Sequence, residues 1–248
     1  MNILITGSSS GIGMQLARDY LAGANTVYCC GRNTASLKSL IHDFPDFAQI
    51  LCFDTADRID CSERLEELPA LDLVILNAGT CEYINAANFD SELYERVVKT
   101  NLIGTANCLE FLIPKLKPGG SLAIMGSSSC YLPLPRAEAY GASKAAIEYL
   151  SKTLSISLKP SGIHVSHIAP GFVETPLTAL NNFPMPMSVS VKFASKKIRS
   201  GLSKKKSEIH FPISFTWILK AIRLCPFGVQ KLLIEKLFRS SGPTLNPG

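Results

Sequence analysis

Tyr140 and Lys144 could perform acid/base chemistry, because they stand four residues apart in the segment YGASK. Side chains at this spacing lie on the same face of a helix, so the phenol and the ammonium would be neighbours. A tyrosine with its ordinary pKa of about 10 is a poor base at neutral pH, but an adjacent cation favours the phenolate and lowers that pKa. Tyr140 could then exchange a proton with the oxygen of a bound substrate. The same spacing also occurs in ordinary surface pairs, so its meaning depends on the residues around it.

A second cluster, the segment TGSSSGIG at residues 6–13, lies between an apolar run and a helical pattern. Its glycines are spaced G-x-x-x-G-x-G. A backbone without Cβ can approach a pyrophosphate, and the N-terminus of the following helix offers N–H groups and the positive end of a dipole. The alternative is an ordinary strand-turn-helix connection. We predict a dinucleotide phosphate site formed by Gly7, Ser9, Ser10, Gly11, Ile12 and Gly13.

Arg32 indicates which dinucleotide is bound, because it ends the second apolar run, where dinucleotide folds meet the adenosine ribose. NAD-binding folds usually carry an acidic residue there, whereas an Arg accommodates a 2′-phosphate. No acidic residue lies between Thr26 and Leu37. We therefore expect NADP(H) rather than NAD(H), the alternative being that Arg32 is a solvated surface charge. Asp54 could accept a hydrogen bond from the adenine amino group or serve as a cap or turn residue.

The elements that must position these residues follow from the hydrophobic pattern. The first two thirds of the chain alternate short apolar runs with longer stretches of helical period, which is typical of βαβ units. The runs are too apolar for an exposed sheet face, so we expect helices on both faces and right-handed crossovers. This predicts an α/β, doubly wound Rossmann fold with a parallel sheet. The predicted strands are residues 2–6, 26–30, 49–53, 73–76, 121–126, 164–168 and 208–211.

Further polar and small residues follow the predicted strands in a fixed order. They are Asn77, Ala78 and Gly79 after the fourth strand, Asn101 in a helix, Ser127 after the fifth strand, and Pro170 and Gly171 after the sixth. Together with the glycine loop, Tyr140 and Lys144, this order resembles the short-chain dehydrogenase/reductase family over about residues 1–176. The resemblance implies hydride transfer between a nicotinamide cofactor and a small-molecule carbonyl or alcohol.

The resemblance also implies a role for each catalytic position. Ser127, thirteen residues before Tyr140, would hydrogen-bond the substrate carbonyl and stabilise its developing negative charge. Its neighbours Ser128 and Ser129 are open alternatives. Lys144 would also hold the nicotinamide ribose, and Asn101 would anchor a water that links Lys144 to solvent.

The cofactor contacts that the resemblance implies extend beyond the glycine loop. The Val173 backbone and the Thr175 hydroxyl would meet the nicotinamide carboxamide. In isolation, Asn101 would be interpreted as a polar residue inside a helix and Thr175 as a helix cap. The expected contacts outside the loop are Arg32, Asp54, Asn77, Ala78, Gly79, Tyr140, Lys144, Pro170, Gly171, Val173 and Thr175.

Three features depart from the family pattern. Leu76 stands where many members carry a first Asn, and Gly126 stands where many carry the first of a Ser pair. After Thr175 the chain also lacks the Val-Asp-Gly-Gly ending of many tetrameric members. The last departure argues against the usual tetramer, and we expect a homodimer.

The C-terminal part has a different composition. Residues 1–191 carry 13 basic and 18 acidic side chains, whereas residues 192–248 carry 12 and 2. The prolines of residues 182–187 predict a loop, and helical patterns follow at 189–202, 213–224 and 227–238. We expect a catalytic domain at 1–210, with a substrate lid at about 176–202, and an extension at 211–248 that is not a separate domain. That extension could cover the substrate pocket, form a dimer contact or lie on a membrane through residues 211–239, the last being favoured.

Other classes of site and partner are not expected. The eight cysteines and four histidines lack metal-ligand spacing, so we assign no metal. Lys204, Lys205 and Lys206 have no interleaved aromatic residues, which argues against nucleic-acid binding. The N-terminus lacks the basic segment of a signal peptide, so we expect a cytoplasmic protein, with peripheral membrane contact as the alternative location.

The sequence thus predicts an NADP(H)-dependent oxidoreductase acting on a carbonyl or an alcohol. The apolar residues 183–187 in the expected lid favour an apolar or lipid-like substrate. The alternative is a non-catalytic NADP(H) sensor or a membrane-attached scaffold on the same fold. The intact set of Ser127, Tyr140 and Lys144 argues against that alternative.

Overall fold

A computed structural model describes residues 1–181 and 183–239 of the chain. Strands and helices alternate along most of its length. In chain order the elements are β1 (Asn2–Thr6), α1 (Gly11–Leu21), β2 (Thr26–Cys30), α2 (Thr34–Asp43), β3 (Ala48–Leu51), α3 (Arg58–Leu65), β4 (Leu71–Leu76), α4 (Ser91–Val98), a π-helical turn (Lys99–Ile103), α5 (Gly104–Leu112), β5 (Leu116–Met125), α6 (Glu138–Ser157), β6 (His164–Pro170), β7 (Val173–Glu174), β8 (Val189–Ser190), α7 (Val191–Ser203), β9 (Glu208–Phe211), α8 (Ile213–Arg223) and α9 (Phe227–Arg239).

Seven strands form one parallel sheet in the order β3-β2-β1-β4-β5-β6-β9. The chain winds outward from β1 to β3 and then returns to continue on the other side with β4. At such a reversal two neighbouring crossovers leave on opposite faces, which opens a crevice at the carboxyl ends of the strands. The predicted doubly wound Rossmann fold is confirmed, and the switch point lies between β1 and β4.

Both faces of the sheet are covered because its strands are apolar on both sides. On β1, Ile3 and Ile5 pack in a cluster with Leu16 of α1, while Leu4 belongs to a second cluster on the opposite face. Ile198 of α7 joins the first cluster, and residues of α3, α5 and α6 form the second. A strand buried on both faces has no polar alternation, which is why the sequence shows near-continuous apolar runs.

Some element boundaries differ from the sequence prediction. β5 begins at Leu116 rather than residue 121, because Leu116 already pairs with Leu71 before a register shift leads into the regular ladder. The helix predicted from residue 189 begins at Val191, because Val189 pairs with Val173 in a separate two-stranded sheet of β7 and β8. Residues 183–187 are irregular as predicted, and residue 182 of that predicted loop lies outside the described residues.

The predicted C-terminal helices are present as α8 and α9, and they pack beside the end of the sheet. Leu219 of α8 and Ile234 of α9 are buried in a small cluster with Tyr131 and Ala169. None of the helices in the described ranges combines the length and the apolarity that a membrane crossing requires.

Candidate active site

A cavity of about 730 Å³ opens at the carboxyl ends of the central strands. The glycine loop between β1 and α1, the ends of β4, β5 and β6, and one face of α6 contribute to its wall. All the predicted site residues line this cavity except Gly13 and Asn101, which lie behind its wall. The topology therefore brings together predicted site residues that are up to 168 positions apart in the sequence, from Gly7 to Thr175.

Tyr140 and Lys144 lie in the first two turns of α6. The Lys144 Nζ is buried, donates a hydrogen bond to the Met125 carbonyl oxygen at 2.9 Å and lies 5.7 Å from the centroid of the Tyr140 ring. Loss of hydration lowers the pKa of Lys144 to about 8. The residues predicted to cooperate are therefore neighbours.

The pKa of Tyr140 departs from the expectation that Lys144 lowers it. Burial raises the pKa of the phenol above its ordinary value, and the neighbouring Cys81 thiol acts in the same direction. A hydrogen bond with Ser127 lowers the Tyr140 pKa but does not outweigh the burial. Tyr140 is thus held as a protonated phenol, which is the form that can donate a proton.

Among the three consecutive serines, Ser127 is the one that lines the cavity. Its Oγ accepts a hydrogen bond from the Ser129 backbone N–H at 3.1 Å and so caps a short 3-10 turn, Ser128–Cys130, which is separated from β5 by Gly126 and Ser127. Ser128 is buried, and the buried Ser129 Oγ has no hydrogen-bond partner among the described residues. Of the alternatives left by the sequence, the geometry favours Ser127.

Asn101 is buried in the π-helical turn between α4 and α5. Its Oδ1 accepts from the Thr80 N–H at 2.8 Å, and its Nδ2 donates to the Thr80 carbonyl oxygen and to Ser143 Oγ, both at 3.0 Å. Asn101 thus ties the loop after β4 to the helix that carries Tyr140. Sequence reasoning missed Thr80, which directly follows Gly79, and Ser143, which lies inside the YGASK segment.

The glycine loop has the backbone that a phosphate site requires. Gly7 has φ of +68°, and a Cβ there would lie 2.9 Å from the Ala78 Cα. Asn77 fixes the loop, because its Nδ2 donates to the carbonyl oxygens of Thr6 and Gly7, each at 3.1 Å. A Cβ on Gly13 would lie 2.2 Å from the Gly7 carbonyl oxygen. Asn77, which lines the cavity, and Gly13, which lies behind its wall, therefore hold the loop in shape.

Arg32 and Asp54 lie together at the outer end of the cavity. Arg32 Nη1 is 3.4 Å from Asp54 Oδ2, and the Arg32 side chain is 74% exposed. Asp54 Oδ1 accepts from the Ala56 N–H at 3.0 Å, so this carboxylate also stabilises the turn after β3. An exposed pair of this kind contributes little to the free energy of folding and leaves the guanidinium accessible.

The segment after β6 closes one side of the cavity. The Thr175 Oγ1 accepts from the Thr178 N–H at 3.2 Å, and the Thr178 hydroxyl donates to the Val173 carbonyl oxygen at 2.6 Å. Gly171 is packed under Phe215 of α8, where a Cβ would lie 3.0 Å from the ring. Val173 and Thr175 thus line the cavity while being held by Thr178, a residue that sequence reasoning did not select.

Four aromatic rings from distant segments meet beside this wall. The ring centroids of Phe172 and Phe215 are 5.9 Å apart, those of Phe172 and Phe183 are 6.1 Å apart, and those of Tyr83 and Phe183 are 5.3 Å apart. The Tyr83 hydroxyl also donates to Asn181 Oδ1 at 2.7 Å. The apolar lid expected from the sequence is thus joined to the loop after β4 and to α8. Only Phe183 of these rings was predicted, because the others belong to segments that become neighbours on folding.

The site combines a phenol, a hydroxyl and a buried ammonium with a glycine-lined cradle at a helix N-terminus. Such a set can bind a nucleotide and exchange one proton with a substrate oxygen. The described residues contain no group of His, Cys, Asp and Glu side chains that could hold a metal ion.

Comparisons with known proteins agree with this arrangement. The model of the short chain dehydrogenase family matches residues 1–183. An uncharacterized oxidoreductase of Myxococcus xanthus is 31% identical over 252 residues, covering 98% of this chain and 96% of that protein. The 11-beta-hydroxysteroid dehydrogenase-like 3 of Arabidopsis thaliana is 28% identical, covering 95% of this chain and 82% of that protein. The crystal structure of a short chain dehydrogenase from Burkholderia cenocepacia in complex with NADP has the same fold, with a TM-score of 0.83 at 22% identity, covering 94% of this chain and 97% of that one.

Proposed function

The chain belongs to the short chain dehydrogenase family of oxidoreductases, and from this premise we propose that it transfers a hydride between NADP(H) and a carbonyl or alcohol. The observation that carries the proposal is that Ser127, Tyr140 and Lys144 line the same cavity as the glycine loop. A binding protein without turnover would have no chemical need for this set beside the cradle.

The residues of the cradle fit a dinucleotide. Gly7 and Gly11 both have positive φ and leave the backbone exposed to the cavity. Within the described chain, the N-cap residue Ser10 makes no side-chain hydrogen bond to the first turn of α1, and that turn carries no acidic residue. Its N–H groups and the positive end of the helix dipole are thus available to a pyrophosphate. NADPH bound here would supply the hydride.

Arg32 supports NADP(H) over NAD(H). Its exposed guanidinium lies two residues beyond the end of β2, where the adenosine ribose would lie, and its partner Asp54 is only loosely held at 3.4 Å. A 2′-phosphate is a stronger acceptor for a guanidinium than a solvated carboxylate at that distance. The related Burkholderia cenocepacia structure contains NADP, which is consistent with this choice.

Three side chains would carry out the proton chemistry. Tyr140, held as a phenol, would donate its proton to the substrate oxygen during reduction, and Ser127 would hydrogen-bond that oxygen. Lys144, as an ammonium within 5.7 Å of the Tyr140 ring, would stabilise the phenolate left after transfer. Asn101 acts through its hydrogen bonds and is a positioning residue.

The substrate would be an apolar carbonyl or alcohol. The rings of Phe172, Phe183, Phe215 and Tyr83 offer apolar surface beside the side of the cavity that the segment after β6 closes. Burial of apolar substrate surface provides binding energy there, while Ser127 and Tyr140 fix the position of the oxygen. The steroid dehydrogenase name of the Arabidopsis thaliana relative is consistent with a substrate of this class.

The test is NADPH oxidation with a panel of apolar ketones and aldehydes, comparing the unmodified protein with Tyr140→Phe. Loss of a general acid costs about 10² to 10⁴ in rate, so the variant should lose turnover. Its NADPH affinity, measured by calorimetry, should change little, because phenylalanine keeps the ring and removes only one of many expected cofactor contacts. Equal turnover in the variant would contradict the role of Tyr140. NADPH binding without oxidation of any member of the panel would favour the sensor or scaffold alternative.

A further inference from the structure

One face of α8 exposes apolar side chains along its whole length. Ile213 and Trp217 of α8, and Leu224, which caps its C-terminus, are 56, 59 and 88% exposed. Their spacing of four and seven residues places them on one side of the helix. The opposite side carries Phe215, Leu219 and Ile222, which pack on the protein body. α8 is therefore apolar on both sides, although only one side contributes to the core.

Large apolar residues are exposed on α9 as well. Phe227 and Leu232 are 66 and 68% exposed, whereas Ile234 of the same helix is buried. We call Ile213, Trp217, Leu224, Phe227 and Leu232 the apolar tail surface. Five large apolar residues that are exposed within twenty consecutive residues, on two successive helices, point to a binding surface rather than to scattered exposure.

The charges on α8 and α9 indicate what this surface binds. The two helices contain five basic residues, Lys220, Arg223, Lys231, Lys236 and Arg239, and one acidic residue, Glu235. Three of the cations are in ion pairs, Lys220 with Glu208, Arg223 with Glu148 and Lys231 with Glu235, and Glu148 is shared with Lys152. With these partners counted, the basic residues still outnumber the acidic ones. Lys220 Nζ lies 5.5 Å from the centroid of the Trp217 ring, so a cation flanks the indole directly. Two copies of a surface with such an excess of positive charge would repel each other, whereas an anionic surface would attract it.

We propose that the apolar tail surface binds the face of an anionic lipid bilayer, with α8 and α9 lying in its headgroup region. Exposed Trp, Phe and Leu side chains next to Lys and Arg are the composition of helices that lie in this region. Neither helix is long enough to cross the bilayer, so binding is peripheral. Ser214 of α8 contacts Met187 of the lid through Oγ and Sδ at 3.6 Å, so the lid would lie near the lipid.

Trp217 provides a direct probe, because it is the only tryptophan of the chain. Full-length protein is mixed with vesicles of phosphatidylcholine alone or of phosphatidylcholine with one third phosphatidylserine. With the anionic vesicles we expect a shift of tryptophan emission to shorter wavelength, and quenching when the acyl chains carry bromine. Cosedimentation should weaken with added salt and fall about fivefold for each of Lys231→Gln and Lys236→Gln. Unchanged emission with anionic vesicles would overturn the proposal.

Matched variants distinguish binding through the apolar tail surface from nonspecific binding of exposed apolar residues to vesicles. Leu224→Glu and Phe227→Glu replace exposed side chains, so the fold should persist while vesicle binding falls about tenfold or more. The control is Ile59→Glu on α3, where the isoleucine is 69% exposed on another helix. Equal binding of all three variants would overturn the proposal. A second outcome would also overturn it: the unmodified protein binds no vesicles and forms a stable dimer, which Leu224→Glu converts to monomer. In that case a second copy of the chain covers the surface. The readouts need no turnover and are independent of the proposed reaction.

Discussion

The imidazole of His167 fills the space that a side chain at position 126 would need. A Cβ built on Gly126 would lie 2.1 Å from His167 Nε2. His167 is on β6, is 3% exposed, and has no hydrogen-bond partner for either ring nitrogen among the described residues. Because Gly126 directly precedes Ser127, the glycine that departs from the family's serine pair is required by a histidine on the neighbouring strand.

The Gly126–His167 pair should show strong energetic coupling. Gly126→Ser alone should lower the free energy of unfolding by about 1–3 kcal/mol, because the new side chain overlaps the buried imidazole. In the His167→Ala background the same change should cost less than about 0.5 kcal/mol, since the space is then open. Urea unfolding of the four proteins measures the coupling. Additive effects of the two substitutions would contradict the steric explanation.

His167 should also make stability depend on pH. Burial lowers the pKa of its imidazole from 6.5 to about 4. Between these values the unfolded chain binds the proton more readily than the folded protein, so the free energy of unfolding falls as the pH falls from about 6.5 to 4. The contribution of His167 to this loss is about 3 kcal/mol. Unfolding of His167→Ala should therefore depend less on pH over this range, whereas His42→Ala, an exposed histidine on α2, should follow the unmodified protein. Parallel pH curves for all three proteins would contradict the prediction.

The sheet and the cavity wall could be predicted because they depend on local patterns. The bounds of β1, β2 and β9 agree with the predicted runs, since buried parallel strands are marked by continuous apolar residues. Parallel strands end on one edge, so polar residues that follow successive strands must meet there. The roles of Ser127 and Gly79 came from the resemblance to the short-chain dehydrogenase/reductase family, and this strand geometry explains why both line one cavity.

The remaining features depend on contacts between distant segments. The π-helical turn at Asn101 is followed directly by Gly104, but nothing in the sequence indicates that Asn101 contacts Ser143, 42 residues away. The pKa of Tyr140 is decided by burial, which the spacing to Lys144 does not report. The overlap between position 126 and His167 is visible only once β5 and β6 are paired.

Asn101→Ala should impair both stability and turnover. It removes three hydrogen bonds and leaves the Thr80 N–H and carbonyl without their partner, which costs about 1–3 kcal/mol for a buried group. Since Asn101 also holds Ser143 on α6, we expect kcat to fall while the KM for NADPH changes little. The matched control is Asn107→Ala on α5, which loses one hydrogen bond to the Thr55 carbonyl oxygen. Equal kcat losses in the two variants would mean that Asn101 has no special positioning role.

Arg32 should decide between NADPH and NADH. Arg32→Ala removes a guanidinium whose charge-assisted hydrogen bond to a 2′-phosphate is worth about 1.5–3 kcal/mol, so kcat/KM should fall about 10-fold to 100-fold for NADPH and little for NADH. Arg58→Ala is the matched control, since Arg58 is also an exposed arginine in an ion pair, with Glu110, but lies outside the cavity wall. Asp54→Asn distinguishes between two roles of Asp54, a competitor of the cofactor for Arg32 and an acceptor for the adenine amino group. If Asp54 only competes for Arg32, this change should strengthen NADPH binding and leave NADH binding unaltered, whereas a carboxylate that contacts adenine would weaken both. An equal loss with NADPH and NADH in Arg32→Ala would contradict the 2′-phosphate role, because adenine and pyrophosphate contacts are common to both cofactors.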